Sequence, residues 1–308
     1  MHKYILKRLL LLIPVLIGIT FIVFTLSYIA PGDPARMILG EDATLEAIAQ
    51  VREELGLDDP FFVRFFNYLL NAARLDFGNS WQTRRPVFTE IFARFPTTMQ
   101  LAGMSVALAL ILGIPLGVLS ATKQYTIFDA GANFIGLLGA SIPSFWQGMI
   151  FIVIFAVSFR WLPSSGWMTP WHWILPVATV GTSGTAMIMR MTRSTMLEVV
   201  KQDYIRTARA KGQKEGRILY GHALKNALIP VTTEAGMQFG FLLGGTVLAE
   251  TIFAIPGLGR FLIDAIMVRD LPIILGGVLL YAVTFSIVNL MVDILYAFID
   301  PRIRAQYR

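Results

Sequence analysis

Residues 204–212 read YIRTARAKG and lie at the centre of a charged island, residues 190–230, in an otherwise apolar chain. The island holds nine lysines and arginines and three acids. A single positive charge at the centre of a bilayer costs about 2.5–3.5 kcal/mol, so nine of them cannot lie there. The island is rich in helix-forming residues, and Gly212 and Gly216 interrupt it. The sequence therefore predicts a water-exposed helix, a bend and a second helix between two membrane spans.

The composition of the whole chain indicates an all-α polytopic membrane protein. Of its 308 residues, 55% are hydrophobic, and the mean hydropathy is +0.63. A soluble protein of this length is less apolar. The net charge of +6 is explained by unequal charge on the two sides of the membrane, so we expect no nucleic-acid partner. The chain has no cysteine, which excludes disulfides and thiolate metal sites.

Six apolar segments predict six transmembrane helices. They are Leu9–Ala30, Thr97–Thr122, Ala130–Phe159, a span that ends near Met189, Val231–Thr251 and Leu271–Val292. We accordingly divide the chain into three parts. Residues 1–30 form the N-terminus and first span, residues 31–96 a helical cap, and residues 97–308 a five-helix core that contains the island.

The cap is predicted to hold at least two helices, placed either to dock a binding protein or to pack onto the spans. Leu45, Ile48 and Val51 share one helical face, which Gly56 ends, and Asp59-Pro60 caps a second, phenylalanine-rich helix.

The distribution of positive charge predicts which side each loop occupies. With both termini inside, the inner side carries 16 lysines and arginines and the outer side 10. All seven lysines fall inside, and the cap holds ten acids against seven arginines. The positive-inside rule therefore predicts cytoplasmic termini, a cytoplasmic island and an extracytoplasmic cap.

Two features stand out within the predicted spans. Gly236, Gly240 and Gly244 recur every fourth residue, which predicts close helix packing in the bundle or across a dimer; a smooth wall for translocation is the alternative. Glu250 is an acid near membrane depth, where ionisable groups are costly and mark functional sites. It opens a segment whose Pro256, Gly257 and Gly259 predict a sharp outer turn, and our hypothesis is a gate there.

The island resembles the "EAA" loop of the membrane permeases of bacterial ATP-binding cassette (ABC) importers. The general pattern is E-A-A, three residues, G, nine residues and I-x-L-P. Ala208, Gly212 and Leu224 match it, whereas the slots for Glu, Ile and Pro hold Arg206, His222 and Lys225. However, RTARAKG followed by HALKNA is similar to the dipeptide, oligopeptide and nickel branch of that family. PGDP at 31–34, the segment 250–259 and DPR at 300–302 resemble the same branch.

The resemblance implies a type I ABC importer permease fold in a bacterial inner membrane, with the island as a coupling loop that docks on an ATPase subunit. A basic loop that only sets topology is the alternative. The residues that carry the resemblance are the predicted coupling residues: Tyr204, Arg206, Thr207, Ala208, Arg209, Ala210, Lys211, Gly212, His222, Leu224 and Asn226.

The partners implied by the resemblance are a second homologous permease, two ATP-binding subunits and an extracytoplasmic solute-binding protein, in contact with membrane lipid. The chain has no G-x-x-x-x-G-K-[ST] loop, so we expect it to bind no cofactor, with ATP and Mg²⁺ on the partner subunits. Dipeptides or short peptides are the expected cargo; glutathione, a nickel chelate or another small solute remain alternatives.

Two other functions have weaker support in the sequence. Residues 181–184, GTSG, superficially fit the G-x-S-G of intramembrane serine proteases, but such chemistry needs a histidine beside Ser183. His2, His172 and His222 are all predicted to lie elsewhere. A passive channel is the third possibility, and nothing in the chain is similar to a selectivity filter.

Overall fold

The computed structural model describes residues 2–29, 32–40 and 43–299, and in this part of the chain the regular structure is helical. The helices are α1 (His2–Ile29), α2 (Pro34–Leu39), α3 (Leu45–Glu54), α4 (Phe61–Ala73), α5 (Val87–Thr122), α6 (Ile127–Ser141), α7 (Ser144–Phe151), α8 (Pro170–Val199), α9 (Asp203–Ala210), α10 (Leu224–Gly245), α11 (Val247–Ile252), α12 (Leu258–Met267) and α13 (Leu271–Ile299). Two π-helical segments, Ile152–Ser158 and Arg217–Ala223, follow α7 and precede α10. The all-α prediction is confirmed.

The chain divides into two compact units. The first comprises the described residues up to Tyr4, Thr97–Arg260 and the described residues from Phe285 onward, and the second comprises Ile5–Pro96 and Phe261–Thr284. Three predicted features fall wholly or partly outside the described residues. They are the end of the first span at Ala30, the proline of PGDP at Pro31 and the basic C-terminal segment, residues 300–308.

Within the described residues, three single helices are long and apolar enough to cross a membrane: Leu9–Ile29, Val87–Thr122 and Leu271–Leu295. They coincide with the predicted first, second and sixth spans, although α5 begins ten residues before the predicted Thr97. The segment Val87–Pro96 was predicted as cap and is instead the start of a 36-residue helix.

The predicted third span, Ala130–Phe159, is not one continuous helix. It breaks between α6 and α7, and the pair Ile127–Gly139 and Ser144–Ser158 bends by 99°. The break has a local cause at Pro143, which lacks a backbone N–H and disfavours helical geometry in the preceding residue. Ile142 accordingly adopts φ −84° and ψ 124°. Counted as one bent span, this pair raises the number of candidate spans to four.

The predicted fourth and fifth spans fall in α8 and α10, which have 30 and 22 residues. Neither is among the candidate spans, because α8 carries many threonines, glycines and two arginines, and α10 contains Glu234 and Gln238. The count of six spans therefore stays a prediction. Helix α8 also continues to Val199, ten residues beyond its predicted end, so residues 190–199 of the island are helix rather than loop.

The second unit contains the short helices of the predicted cap. Gly56 has φ +59° and follows the end of α3, as predicted. The predicted cap by Asp59 is wrong: Pro60 is the N-cap of α4, and no side chain accepts a hydrogen bond there. Phe24 of α1, Phe65 of α4 and Leu275 of α13 form a buried apolar cluster in this unit.

A buried carboxylate holds the loop before α5 to the start of α13. Asp270 is 3% exposed and accepts hydrogen bonds from the Ser80 hydroxyl, from the Trp81 N–H at 3.2 Å and from the Gln82 N–H at 3.3 Å. Since a buried carboxylate is stabilised only by such donors, this contact fixes the loop within the second unit. Ser80 and Asp270 are 190 residues apart, and sequence analysis did not link them.

Candidate functional site

The centre of the charged island folds as a short helix, a bend and a second helical segment. Helix α9 ends at Ala210, and Gly212 adopts φ +74°, a conformation that glycine reaches without strain. The bend that we predicted at Gly212 is therefore present. Gly216 was predicted to interrupt the helix too, but its φ of −59° and ψ of −39° are helical, and it lies directly before the π-helical segment 217–223.

One face of α9 is anchored in an apolar cluster of the first unit. Ile205 is fully buried there, together with Val118, Met196, Ile218, Ala223 and Ala227. Ala208 and Leu224, two of the three residues that match the general permease pattern, pack against this cluster. Burying an isoleucine side chain contributes about 1.5–3 kcal/mol, so α9 is held against the ends of α5, α8 and α10.

The other face of α9 is exposed and basic. Tyr204, Arg206, Thr207, Arg209, Ala210 and Lys211 all present their side chains on the surface of the chain. Arg206 has Asp203 at 3.7 Å, an exposed pair of little energetic weight. The predicted coupling residues thus divide into an inward-facing apolar set and an outward-facing polar set, with the positive charge in the second.

Hydrogen bonds join α9 to the segment that follows it. The Tyr204 hydroxyl accepts from Asn226 Nδ2 at 2.9 Å, and His222 Nε2 pairs with Gln213 Oε1 at 2.9 Å. Arg209 donates to both carboxylate oxygens of Glu215, at 2.6 and 3.2 Å. This bidentate contact lowers the pKa of Glu215 and raises that of Arg209.

Tyr204, Arg209, His222 and Asn226, which were predicted as coupling residues, also stabilise the loop itself through these hydrogen bonds. Each of them cross-links segments within residues 203–226, so these contacts hold that part of the island together.

An ion pair at the start of the island ties three helices together. Arg193 of α8 donates to both oxygens of Asp129, through Nε and Nη2 at 3.1 Å each. Asp129 also accepts from the Ser120 hydroxyl, the Tyr125 N–H at 3.1 Å and Asn133 Nδ2 at 2.7 Å. Since Ser120 lies on α5 and Asp129 on α6, the cluster fixes the ends of α5, α6 and α8 relative to each other.

Sequence analysis missed this cluster. It placed Arg193 in the water-exposed island and left Asp129 between the predicted second and third spans, whereas the Asp129 side chain is only 8% exposed and Arg193 lies on a continuous helix. The available signal was an unmatched acid and an unmatched base at span ends on the same predicted side of the membrane. Opposite charges in such positions favour pairing, since neither is stable alone at that depth.

Glu250 is fully buried and holds together the turn that contains Pro256, Gly257 and Gly259. Its Oε1 accepts from the hydroxyls of Thr98 at 2.7 Å and Thr246 at 3.1 Å, and its Oε2 accepts from the Arg260 N–H at 2.9 Å. The Thr98 hydroxyl in turn accepts from the Leu258 N–H at 2.9 Å. The carboxylate therefore organises the backbone of the turn, and its role in a gate stays a prediction.

The two glycines of this turn allow the chain to approach Glu250 closely. A Cβ atom added at Gly257 would lie 2.3 Å from Glu250 Cδ, and one at Gly259 would lie 2.7 Å from Val247 Cγ2. No real Cβ atom tolerates such distances, so both positions require glycine as long as Glu250 keeps its place.

The three glycines of α10 differ in what they face. A Cβ at Gly236 would lie 2.2 Å from Val292 Cγ2 of α13, and one at Gly240 would lie 3.3 Å from the ring of Phe285. A Cβ atom added at Gly244 would have no described atom within 4 Å, apart from the nearby backbone of its own helix. Two of the three positions thus contact α13 within the chain, whereas Gly244 borders open space.

The protease alternative has no support in the arrangement of the described residues. The Ser183 hydroxyl donates to the carbonyl of Val180 at 3.4 Å, His172 Nδ1 pairs with the Thr169 hydroxyl, and His222 pairs with Gln213. Gly184 packs against Gln238, and a Cβ there would lie 1.9 Å from its Nε2. GTSG is therefore a helix-packing segment of α8. Within the described part of the chain, no cluster of three histidines and acids could hold a metal ion.

The sequence matches two families that together span almost the entire chain. Residues 113–305 match the family described as binding-protein-dependent transport system inner membrane component, and residues 1–102 match the N-terminal component of the same systems. Among curated relatives, the dipeptide transport system permease protein DppB of Alkalihalophilus pseudofirmus is 44% identical and aligns with 99% of this chain and 100% of its own. The glutathione transport system permease protein GsiC of Escherichia coli K12 is also 44% identical, over 99% of both chains.

Solved structures with the same fold come from ABC transporters. An inward-facing structure of the MetNI methionine ABC transporter aligns with a TM-score of 0.58 at 18% identity, over 68% of this chain and 96% of the other. An amino acid ABC transporter structure aligns with a TM-score of 0.52 at 14% identity, over 70% and 94%. These likenesses confirm the type I ABC importer permease fold. With both matched segments and two relatives of this identity and coverage, the chain belongs to the family of inner membrane components of binding-protein-dependent transport systems.

Proposed function

We propose that this chain is a permease subunit of an ATP-driven importer that takes up dipeptides or short peptides delivered by a binding protein. With a second homologous permease it forms the translocation pathway, of which it supplies half. The observation that carries the proposal is the placement of α9: Ile205 anchors one face in an apolar cluster, while the opposite face is exposed and presents Arg206, Arg209 and the adjoining Lys211. A surface of this kind suits docking to an acidic cleft on a separate subunit.

The energy for transport comes from two ATP-binding subunits that hold ATP and Mg²⁺. When ATP draws these subunits together, the island follows as one body because its contacts are internal: Arg209 with Glu215, Tyr204 with Asn226 and His222 with Gln213. Helices α8 and α10 flank the island and transmit its displacement to the bundle. The pathway then alternates between inward-facing and outward-facing states, and the cargo crosses without covalent change.

The cargo is proposed from the relatives. The chain is equally similar to a dipeptide permease and a glutathione permease, at 44% identity over essentially its full length. Glutathione is itself a short peptide, so both relatives favour a peptide-sized solute with free charged termini. Glutathione is therefore the second candidate cargo. We place both termini and the island on the cytoplasmic side, as the lysine distribution favours.

Uptake by the complete transporter tests the proposal. The complex would be reconstituted in proteoliposomes with ATP and Mg²⁺ on the ATPase side and the binding protein on the other. We expect ATP-dependent accumulation of a labelled dipeptide, with competition by unlabelled short peptides. Accumulation of glutathione but not of the dipeptide would identify glutathione as the cargo. The proposal of an ATP-driven, binding-protein-dependent importer would still hold. Uptake that continues after the ATP-binding subunits are removed would contradict the proposal.

A matched pair of variants tests the docking surface. Arg206→Glu reverses a charge on the exposed face of α9, so we expect weaker recovery of the ATP-binding subunits, with the loss depending on ionic strength. Arg217→Glu reverses a charge in the same island outside α9 and serves as the control. Equal recovery of the ATP-binding subunits with Arg206→Glu and wild type would argue that charge on α9 does not guide docking.

A further inference from the structure

Helix α4 has three distinct faces. Phe65 and Ala72 are buried, with Phe61, Tyr68 and Leu69 packed beside them. The polar residues Arg64, Asn67 and Asn71 form a second face. The third face, which we call the α4 stripe, consists of Phe62, Phe66 and Leu70, which are 62%, 58% and 61% exposed. Their spacing of four residues places them in one row along the helix. A row of large exposed apolar side chains marks a surface that contacts another protein, a ligand or a membrane.

Ring contacts tie α4 to the C-terminal third of α1. Phe21 contacts Phe61 and Phe65, with ring centroids 5.8 and 5.3 Å apart. The stripe continues outward from this layer, since the Phe62 ring lies 5.3 Å from that of Phe61 and the Phe66 ring 5.7 Å from that of Phe65. One layer of rings therefore separates the stripe from α1.

The position of these contacts along α1 sets the depth of α4. The apolar segment Leu9–Ile29 has 21 residues, so it is about 31 Å long and matches the hydrocarbon thickness of about 30 Å. Phe21 lies eight residues before Ile29, which is about 12 Å along the helix. This is less than half of the hydrocarbon thickness. Rings that pack on Phe21 are therefore at the depth of acyl chains, within the leaflet at the C-terminal end of α1.

The polar groups of this region lie on the other flank of the α1 and α4 pair. A groove of about 750 Å³ is lined there by Ser27 and Tyr28 of α1 and by Arg64 and Asn67 of α4. Phe62 lies about 140° around the helix from Asn67, and Ile22 lies about 140° around α1 from Ser27. Ile22 is 59% exposed. The exposed apolar residues of both helices thus share a flank, opposite the groove.

We infer that α4 is embedded in the membrane interface beside α1, with Phe62, Phe66 and Leu70 in contact with lipid acyl chains and Asn67 and Asn71 turned to water. The occupant of the α4 stripe is the bilayer, because the stripe continues the exposed apolar surface of a membrane-spanning helix at the same depth. An apolar face opposite a short polar face is typical of helices that lie in the plane of the interface. This inference goes beyond the proposed transport function, and it changes the predicted cap: one of its helices belongs to the membrane.

The absence of cysteine from the chain permits a direct test. Single cysteines would replace Phe62, Phe66 and Leu70 in turn, with Asn67→Cys and Asn71→Cys as matched controls on the same helix. Each would carry a nitroxide label in the full transporter, held in lipid nanodiscs. The measured quantity is the logarithm of the ratio of collision rates with oxygen, which concentrates in lipid, to those with a water-soluble nickel chelate. We expect positive values at the stripe and negative values at the controls.

Two results would overturn the inference. Negative values at all three stripe positions would place the α4 stripe in water. Low collision rates with both reagents would show that another protein, such as the second permease or the binding protein, covers it. Phe62 and Phe66 also touch neighbouring rings, so their replacement could disturb packing. Leu70→Cys makes no ring contact and keeps the test valid, provided that the labelled transporter retains its ATP hydrolysis.

Discussion

At the scale of single residues, Gly212 is required for its backbone conformation rather than for space. Its φ of +74° lies in the left-handed region, and no described atom lies within 4 Å of a Cβ placed there. For a residue other than glycine this conformation costs about 1–2 kcal/mol, more for a β-branched side chain, and least for asparagine. The strain of a substitution would therefore act on the bend itself.

We expect Gly212→Val to uncouple ATP hydrolysis from uptake, or to prevent docking of the ATP-binding subunits, because the bend between α9 and residues 217–223 cannot keep its geometry. Gly212→Asn is the matched control and should retain most uptake, since asparagine tolerates positive φ. The ratio of peptide transported to ATP hydrolysed, measured in proteoliposomes, distinguishes the two. A wild-type ratio in the valine variant would show that the bend is incidental.

A second residue with a defined structural task is Glu250. In Glu250→Gln the amide nitrogen replaces Oε2 and cannot accept from the Arg260 N–H, so a partly buried donor loses its partner. This costs about 1–3 kcal/mol, and Glu250→Ala should cost more because it also removes the acceptor of two threonine hydroxyls. Thermal unfolding of the purified complex measures the loss, with Glu234→Gln on α10 as control. Unchanged stability together with altered transport would favour the gate over the structural role.

Residue-level prediction from the sequence succeeded where the cause is local. The bend at Gly212 and the end of α3 at Gly56 follow from glycine's access to positive φ. By contrast, the partners of Glu250 could not be predicted, because Thr98 is 152 residues away and the contact exists only after the helices pack. The break at Ile142–Pro143 has a local cause too, but an uncharged run from 130 to 159 concealed it.

At the scale of helices, the contact between Asp129 and Arg193 decides how α5, α6 and α8 meet beside the island. Breaking a buried ion pair leaves one charge without a partner, which is worse than removing both charges. Arg193→Gln should therefore lower the melting temperature of the complex. The double variant Asp129→Asn with Arg193→Gln should recover part of that loss, since the uncompensated carboxylate is gone.

The melting temperatures of the two single variants and the double variant form a complete cycle for this pair. Arg190→Gln removes a nearby arginine on the same helix, is not part of the cluster, and serves as the control. If the two single losses simply add in the double variant, the residues act independently and the ion pair does not fix the three helices.

Element boundaries were harder to predict than element types. The sequence indicated a charged segment and an apolar segment on either side of Met189, and from this we placed a helix end there. Helix α8 instead runs on to Val199, because Asp129 neutralises Arg193 and Met196 is buried in the cluster around Ile205. Charge density predicts the side of the membrane, which stays a prediction, whereas tertiary contacts decide where the helix ends.

For the molecule as a whole, substitutions at two glycines of α10 are expected to affect different properties. One should change the stability of the chain, and the other its association with the second permease. Gly236→Leu would force a side chain into Val292, and overpacking of this kind costs about 1–3 kcal/mol within the subunit. A Cβ atom added at Gly244 meets no described atom within 4 Å, so we expect the subunit to tolerate Gly244→Leu better than Gly236→Leu. Because the glycine stripe favours close approach of another helix, we expect Gly244→Leu to weaken association with the second permease.

Two measurements check this contrast: thermal unfolding of the isolated subunit and recovery of the second permease in a pull-down. Gly236→Leu should change the first, and Gly244→Leu the second. Normal recovery of the second permease with Gly244→Leu would contradict a role of Gly244 in this association. It would favour the alternative, in which Gly244 lines the translocation pathway.

The length of α8 has a mechanical consequence. Between Pro176 and Val199 no proline interrupts the helix, and this part is about 36 Å long. If the ion pair at Arg193 is the fixed point, the arm of the helix that reaches Pro176 is about 26 Å long. A tilt of about 10° about that point displaces the far end by about 4–5 Å, close to the pitch of one helical turn. On the proposed function, a modest rotation of the island by an ATP-binding subunit is thereby converted into a displacement of the size of a peptide backbone.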